Sequence, residues 1–129
     1  MAKRTKRRMP LDEILASCSD SLFPESLGAA PVTVHSRDVE GDTPLHVMLW
    51  RGDTYAVRQL IEAGADVNAA GDMSETPLHI ALKKQNLAAA TALIEAGADL
   101  KHRSEFEETP ADIANALGGD FKRLVAGRR

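Results

Sequence analysis

The amino-acid sequence predicts an all-α solenoid, built from short helix-turn-helix units stacked side by side and joined by hairpin-like loops. Three observations lead there. Thr43-Pro44-Leu45-His46 recurs as Thr76-Pro77-Leu78-His79 and, weakened, as Thr109-Pro110-Ala111-Asp112, each step being 33 residues. A second motif keeps the same period: Leu60-Ile61-Glu62-Ala63-Gly64-Ala65-Asp66 returns unchanged as Leu93-Ile94-Glu95-Ala96-Gly97-Ala98-Asp99. Aromatic residues make up only 4% of the chain against 43% hydrophobic, so the core is left to Leu, Ile, Val and Ala, which suits small, closely packed helices.

The elements follow in order. Leu11, Ile14 and Leu15 have helical spacing, and Pro24 starts or breaks a further helix. Val32-Thr33-Val34-His35 stands where Ala65-Asp66-Val67-Asn68 stands one period later, so the N-terminal region supplies a divergent half unit. Thr43 is a good N-cap, its hydroxyl accepting from an unpaired amide of the first turn. Pro44 takes the first helical position, where a missing N–H costs nothing. Leu45, Val47, Met48 and Leu49 make a short apolar helix, and Gly52 is suited to close it in the left-handed conformation. A second helix carries Val57, Leu60 and Ile61 at helical spacing and ends at Gly64. The turn-rich segment 66–74 then leads to the next unit.

The second unit repeats this plan with Leu78, Ile80, Ala81 and Leu82, then an alanine-rich helix ending before Gly97. It departs at Gln85, which holds the place of Gly52 and must either adopt positive φ at some cost or end the helix differently. Expected helix pairs span about 44–51 with 54–63, and 77–84 with 87–96, by the spacing of apolar and capping residues. In the third unit Ala111 replaces Leu, Asp112 replaces His, and Gly118-Gly119 turns the chain into a short charged helix with Asp120, Lys122 and Arg123. Such drift suits a terminal unit that faces water on one side. The chain thus divides into a basic solvated tail (1–9), an N-terminal capping region (10–36), two repeats (37–69 and 70–102) and a C-terminal capping repeat with a basic tail (103–129).

A 33-residue unit that opens T-P-L-H and closes near L-I-E-A-G-A-D resembles the ankyrin repeat, and the resemblance covers roughly residues 31–125. It implies an ankyrin-repeat solenoid that binds a macromolecular partner, with no cofactor. It also implies a structural role for His46 and His79, bridging backbone groups of the loops, and structural roles for Thr43, Thr76, Gly64 and Gly97. Ankyrin partners generally contact the loop tips and the outward side of each first helix. Matched by position, the tips supply Arg37, Val39, Glu40 and Asp42, then Asp72, Met73 and Glu75, then Arg103, Glu105, Phe106 and Glu108; the helices supply Trp50, Arg51, Lys83 and Lys84, followed by Ala116 and Leu117.

Charge adds to that expectation. The formal net charge is −3, but nine of the sixteen basic residues crowd the two ends. Between residues 9 and 121 seven basic residues meet all nineteen acidic ones, a formal charge near −12. Such a body attracts a basic protein and repels a phosphate backbone, which argues against nucleic acid despite Lys3, Arg4, Lys6, Arg7 and Arg8. Asp12, Glu13 and Asp20 interrupt every apolar window after that basic start, so neither a signal peptide nor a membrane span is expected, and the expected setting is a monomer in the cytoplasm.

Catalytic and metal chemistry find no foothold in the sequence. There is one cysteine, Cys18, so neither an internal disulfide nor a cysteine zinc cluster is available; it reads as a small buried residue with nothing basic beside it. No phosphate loop, Ser-His-Asp pattern or H-E-x-x-H motif occurs. His35 and His102 fall in loops and read as solvated. The expected function is a protein-interaction module with Trp50, Met73 and Phe106 as apolar anchors. A narrower alternative is an inhibitor or immunity protein that neutralises a basic enzyme such as a nuclease.

Overall fold

The computed structural model describes residues 9–26 and 31–126. The basic residues Lys3, Arg4, Lys6, Arg7, Arg8, Arg128 and Arg129 lie outside that range. Eight α-helices and no strand occur among the described residues: α1 (Leu11–Ser17), α2 (Ser19–Leu22), α3 (Pro44–Arg51), α4 (Thr54–Glu62), α5 (Pro77–Lys83), α6 (Leu87–Glu95), α7 (Pro110–Leu117) and α8 (Gly119–Val125). Both ends of each of the four helices expected for the two full units fall within one residue of the observed ones.

The helices form two layers. First helices stack on first helices, α3 on α5 and α5 on α7; second helices stack likewise, α4 on α6 and α6 on α8, while α1 closes the N-terminal end against α4. Burial follows position in the stack. In α5, with neighbours on both sides, every residue from Pro77 to Leu82 is buried; in the terminal α7 only Pro110 and Ala114 are. The core joins Ile14, Cys18 and Leu22 of the N-terminal cap to Leu45, Leu49, Leu60, Leu78, Leu82 and Leu93 of the repeats. Each fully buried leucine contributes about 1.5–3 kcal/mol. Met9, assigned to the tail by sequence, packs against this core as well.

The T-P-L-H motif is a two-ended clamp. Thr43 is extended at φ −112° and accepts from the His46 N–H, while the Thr43 N–H donates to His46 Nδ1 at 3.1 Å. An Nδ1 that accepts from an amide carries no proton, so the proton sits on Nε2, which donates to the Glu75 carbonyl of the next loop at 3.0 Å. His79 repeats the arrangement, with Nδ1 3.1 Å from the Thr76 N–H and Nε2 3.0 Å from the Glu108 carbonyl. Asp112 explains itself in these terms. Its carboxylate accepts from the Thr109 N–H and its own N–H donates to Thr109 Oγ1, both at 3.0 Å, so the cap is complete. The carboxylate completes this cap without the second arm that a histidine would extend to another loop.

The loops are tight hairpin tips on the same period. Asp38 N–H donates to the Asp42 carbonyl, Gly71 to Glu75 and Ser104 to Glu108, each at 2.9 Å. Further bonds tie each loop to the next. Asp42 Oδ1 accepts from the Asp72 N–H at 3.0 Å, and Asn68 donates to the Gly97 carbonyl while accepting from the Asp99 N–H. Gly71 is required by that approach: a Cβ there would lie 2.1 Å from Asp42 Oδ1 and 2.9 Å from His46 Nε2. Gly64 and Gly97 close their helices in the left-handed region, at φ 96° and 100°.

Gly52 and Gln85 form a natural comparison. Both hold left-handed backbone, at φ 76° and 55°, so Gln85 takes the strained option open to it. A Cβ at Gly52 would meet nothing within 4 Å, which leaves backbone conformation as the whole difference between the sites. Left-handed backbone costs a residue with a Cβ about 1–2 kcal/mol, and the stiffer unfolded chain returns about 0.4–1 kcal/mol of that. Gln85→Gly is therefore expected to stabilise the fold by about 0.5 kcal/mol, and Gly52→Gln to destabilise it by a similar amount. Urea denaturation of both variants measures this, and equal signs at the two positions would contradict it.

The clamp histidines make stability depend on pH. Burial is the largest influence on both rings and holds their pKa below the ordinary 6.5; the hydrogen bonds to Glu75 and Glu108 and the nearby carboxylates of Asp42 (at His46) and Glu75 (at His79) oppose it only in part. The unfolded chain therefore binds more protons than the folded one at mildly acid pH. Stability should be level above about pH 7 and fall as pH drops through 6.5 toward the folded-state values. Denaturation midpoints between pH 5 and 8 check this, and His79→Asn should make the decline shallower while lowering stability at neutral pH by about 1–3 kcal/mol.

Candidate functional site

Closing the core leaves a few large apolar side chains outside it. Val39 is 96% exposed, Phe106 55%, Trp50 49% and Met73 45%. Val39, Met73 and Phe106 occupy successive tips, and Trp50 stands on α3, which leads away from the first of them. Two cations dress the rings: Lys84 Nζ lies 5.9 Å from the Trp50 centroid and Lys83 Nζ 4.8 Å from that of Phe106. Both pairs cross between repeats, so this surface carries a ladder of aromatic and ammonium groups flanked by acidic tips. Such contacts contribute about 0.5–1 kcal/mol at exposed positions.

The second tip is held in an unusual shape. Met73 and Ser74 both adopt φ 57°, two successive non-glycine residues in the left-handed region. Strain of this kind persists only where surrounding bonds enforce it. Here the Met73 carbonyl accepts from the Glu105 N–H at 2.9 Å, and His102 Nε2 lies 3.1 Å from the Ser74 carbonyl and 3.2 Å from its hydroxyl. His102, expected to be solvated, is therefore half-buried, and its ring meets His79 edge-on at 6.0 Å. Its counterparts one and two periods earlier are Ala69 and Ser36, so the repeat pattern gave no signal for it. His35 is exposed.

Several residues assigned to the binding face have work inside the molecule instead. Glu75 is only 7% exposed and forms an ion pair with Lys83, because its carbonyl is tied to His46 and its side chain is thereby turned along α5. Lys83 is engaged by Glu75 on one side and Phe106 on the other. Arg51 reaches back to the N-terminal cap, donating to Ser17 Oγ at 3.0 Å, the Ser17 carbonyl at 2.9 Å and Ser21 Oγ at 3.3 Å. Asp42 is committed through Oδ1 to the Asp72 amide, and the half-buried Glu108 offers its carbonyl to His79. Arg103 donates to the Glu107 carbonyl, and Arg37 stands 4.0 Å from Asp66 in an open pair. Val39, Glu40, Asp72, Glu105, Phe106, Met73, Trp50 and Lys84 are exposed and outside these polar contacts, while Arg37, Arg51, Lys83 and Arg103 are exposed as well as engaged.

Cys18 is fully buried, and its thiol donates to the Ile14 carbonyl. Burial raises its pKa, with the Arg51 guanidinium opposing; sequence proximity missed this cation because it arrives from α3. The titratable groups of the described residues nowhere gather three potential ligands around one metal position.

A profile of ankyrin repeats, in three copies, matches residues 14–104, so the match begins within α1 and takes in both full units. The chain belongs to the ankyrin-repeat family, whose members are generally protein-interaction modules and typically not enzymes. A search of curated proteins returned no match.

The Arg51 bonds join the cap to the first repeat, and their removal should be felt there first. Arg51→Ala is expected to lower stability by about 1–2 kcal/mol and to speed modification of the buried Cys18 by a thiol reagent. Lysine at this position should restore little, since a point-like ammonium cannot replace the planar fork on three acceptors. Unchanged labelling kinetics in Arg51→Ala would show that the cap is held without it.

Proposed function

We propose that this chain binds a basic protein on its loop tips and concave face, with Trp50, Met73 and Phe106 as apolar anchors and Val39 extending their row. The observation that carries this reading is the outward display of these side chains by a scaffold that buries, wholly or in part, its other described large apolar residues except Leu117. Exposed apolar groups gathered on one surface of a small protein mark interaction sites. The backbone around Met73 supports the same reading, because strain is being maintained to hold that side chain outward.

The field around these anchors selects the partner. Asp38, Glu40, Asp72, Glu105 and Glu107 line the tips. A basic surface would be drawn to them, and nucleic acid would be repelled by the same charges. An inhibitor of one basic enzyme, acting in the cytoplasm, is the narrow form of this proposal, and the acidic tips are what favour it.

Capture of partners from the native host, followed by affinity measurement with purified components, tests the reading. Trp50→Ala and Phe106→Ala are each expected to weaken binding by about 2 kcal/mol while leaving the thermal transition within a few degrees of the parent. Glu105→Lys with Glu107→Lys should slow association and flatten its salt dependence, because rim charges act mainly on encounter. Full affinity in a Trp50→Ala, Met73→Ala, Phe106→Ala triple variant would remove this face from consideration.

A further inference from the structure

A groove lies between the N-terminal cap and the first loop tip. It has two bays that share Ser21 and Asp38. The inner bay, of about 240 Å³, runs between Asp38 and Asp42 to Val47 and Trp50 on α3. The outer bay passes Glu25, Glu40 and Val39 at the mouth. Drug-sized ligands and cofactors fill pockets of roughly 300–1,000 Å³; the inner bay lies below that range and suits one long side chain, while the outer bay, of about 430 Å³, adjoins it.

The charges of the groove are out of balance. Two cations border it: Arg51 is committed to Ser17 and Ser21, and Arg37 stands 4.0 Å from Asp66 while its charge also reaches His46. Among the described residues, no cation forms an ion pair with Glu25, Asp38, Glu40 or Asp42. Asp38 spends one oxygen, Oδ1, on the Glu40 and Asp42 amides, and Asp42 likewise spends Oδ1 on Asp72. Each keeps its other oxygen for an outside donor. Lys84, at the C-cap of α5, lies 5.9 Å from the Trp50 ring, and the same half-exposed indole also lines the inner bay.

We infer that this groove receives an arginine side chain of the protein partner, its guanidinium between Asp38 and Asp42 and its plane against Trp50. This rests on the protein-binding reading above and adds the residue type that is recognised. A guanidinium is planar, stacks on aromatic rings and donates in a fork that carboxylates accept, while its stem lies on apolar surface such as Val47. Lysine offers the charge without the plane and should bind less well.

Trp50 is the only tryptophan of the chain, so its emission reports on the groove directly. The full chain is titrated with a short Gly–Arg peptide, with the same peptide carrying neutral citrulline for arginine, and with a Gly–Lys peptide. Saturable change is expected with arginine, weaker change with lysine and none with citrulline. Asp38→Asn with Asp42→Asn keeps the Oδ1 acceptors and therefore the loop, and should weaken the arginine peptide at least about tenfold, a change of about 1.4 kcal/mol. Glu105→Gln with Glu107→Gln removes the same charge from a distant tip and should change it less than about twofold. Equal losses in the two pairs, or no saturable response, would overturn the inference in favour of a diffuse acidic field. A shift in Trp50 emission on deleting residues 1–8, with no peptide present, would give the groove to the chain's own basic segment and overturn it too. The wider reading is judged apart from this, by whether Met73→Ala and Phe106→Ala weaken the captured partner when the groove variants do not.

Discussion

The clamp made by Thr43, His46 and the Glu75 carbonyl, repeated by Thr76, His79 and the Glu108 carbonyl, is the constraint on which the structure depends. A helix of seven or eight residues is too short to be stable in water by itself. The threonine fixes its first turn, and the histidine commits its one proton to the next loop, so each helix start is fastened to the following unit. Helix capping and repeat stacking thereby become one event. The ring does this only when neutral, because a protonated Nδ1 would face the threonine amide donor to donor.

That arrangement also determines what the loops present. With the Glu75 and Glu108 carbonyls turned inward to the histidines, each tip must turn tightly outward over four residues, and the residue at its apex has nowhere to hide. Polar residues would be at home there. Met73 and Phe106 stand at that apex instead, and at the second tip Glu105 and His102 add bonds that keep two residues in left-handed backbone. A scaffold indifferent to Met73 would relax that turn.

The N-terminal end is joined by different means. It has no T-P-L-H clamp to offer α3, and the Arg51 guanidinium takes that role by binding three oxygens of the cap. Among the described residues the carboxylates of the first tip are then left without an ion pair, beside a groove that the lone tryptophan lines. One side chain thus links the stability of the cap to the charge of the candidate site. The same geometry explains why Cys18, near a cation in space, stays a poor nucleophile: burial outweighs the charge.

The sequence by itself determined the repeat, its register and most helix ends, because these depend on contacts that recur every 33 residues: caps, helix-closing glycines and the apolar stripe. Register put Trp50, Met73 and Phe106 at outward positions but left open whether Trp50 folds down on the N-terminal cap; the packed structure leaves it half exposed. Only the tertiary structure decided what the polar side chains do. Glu75 and Arg51 look like free surface charges in register, yet one is drawn to Lys83 and the other to the cap. His102 looks like a loop residue, yet it clamps Ser74 from 28 positions away. Long flexible side chains choose partners across repeats, and such choices are made once in the chain, outside any period. A repeating signal records what every unit must do; these residues record what a single junction needs.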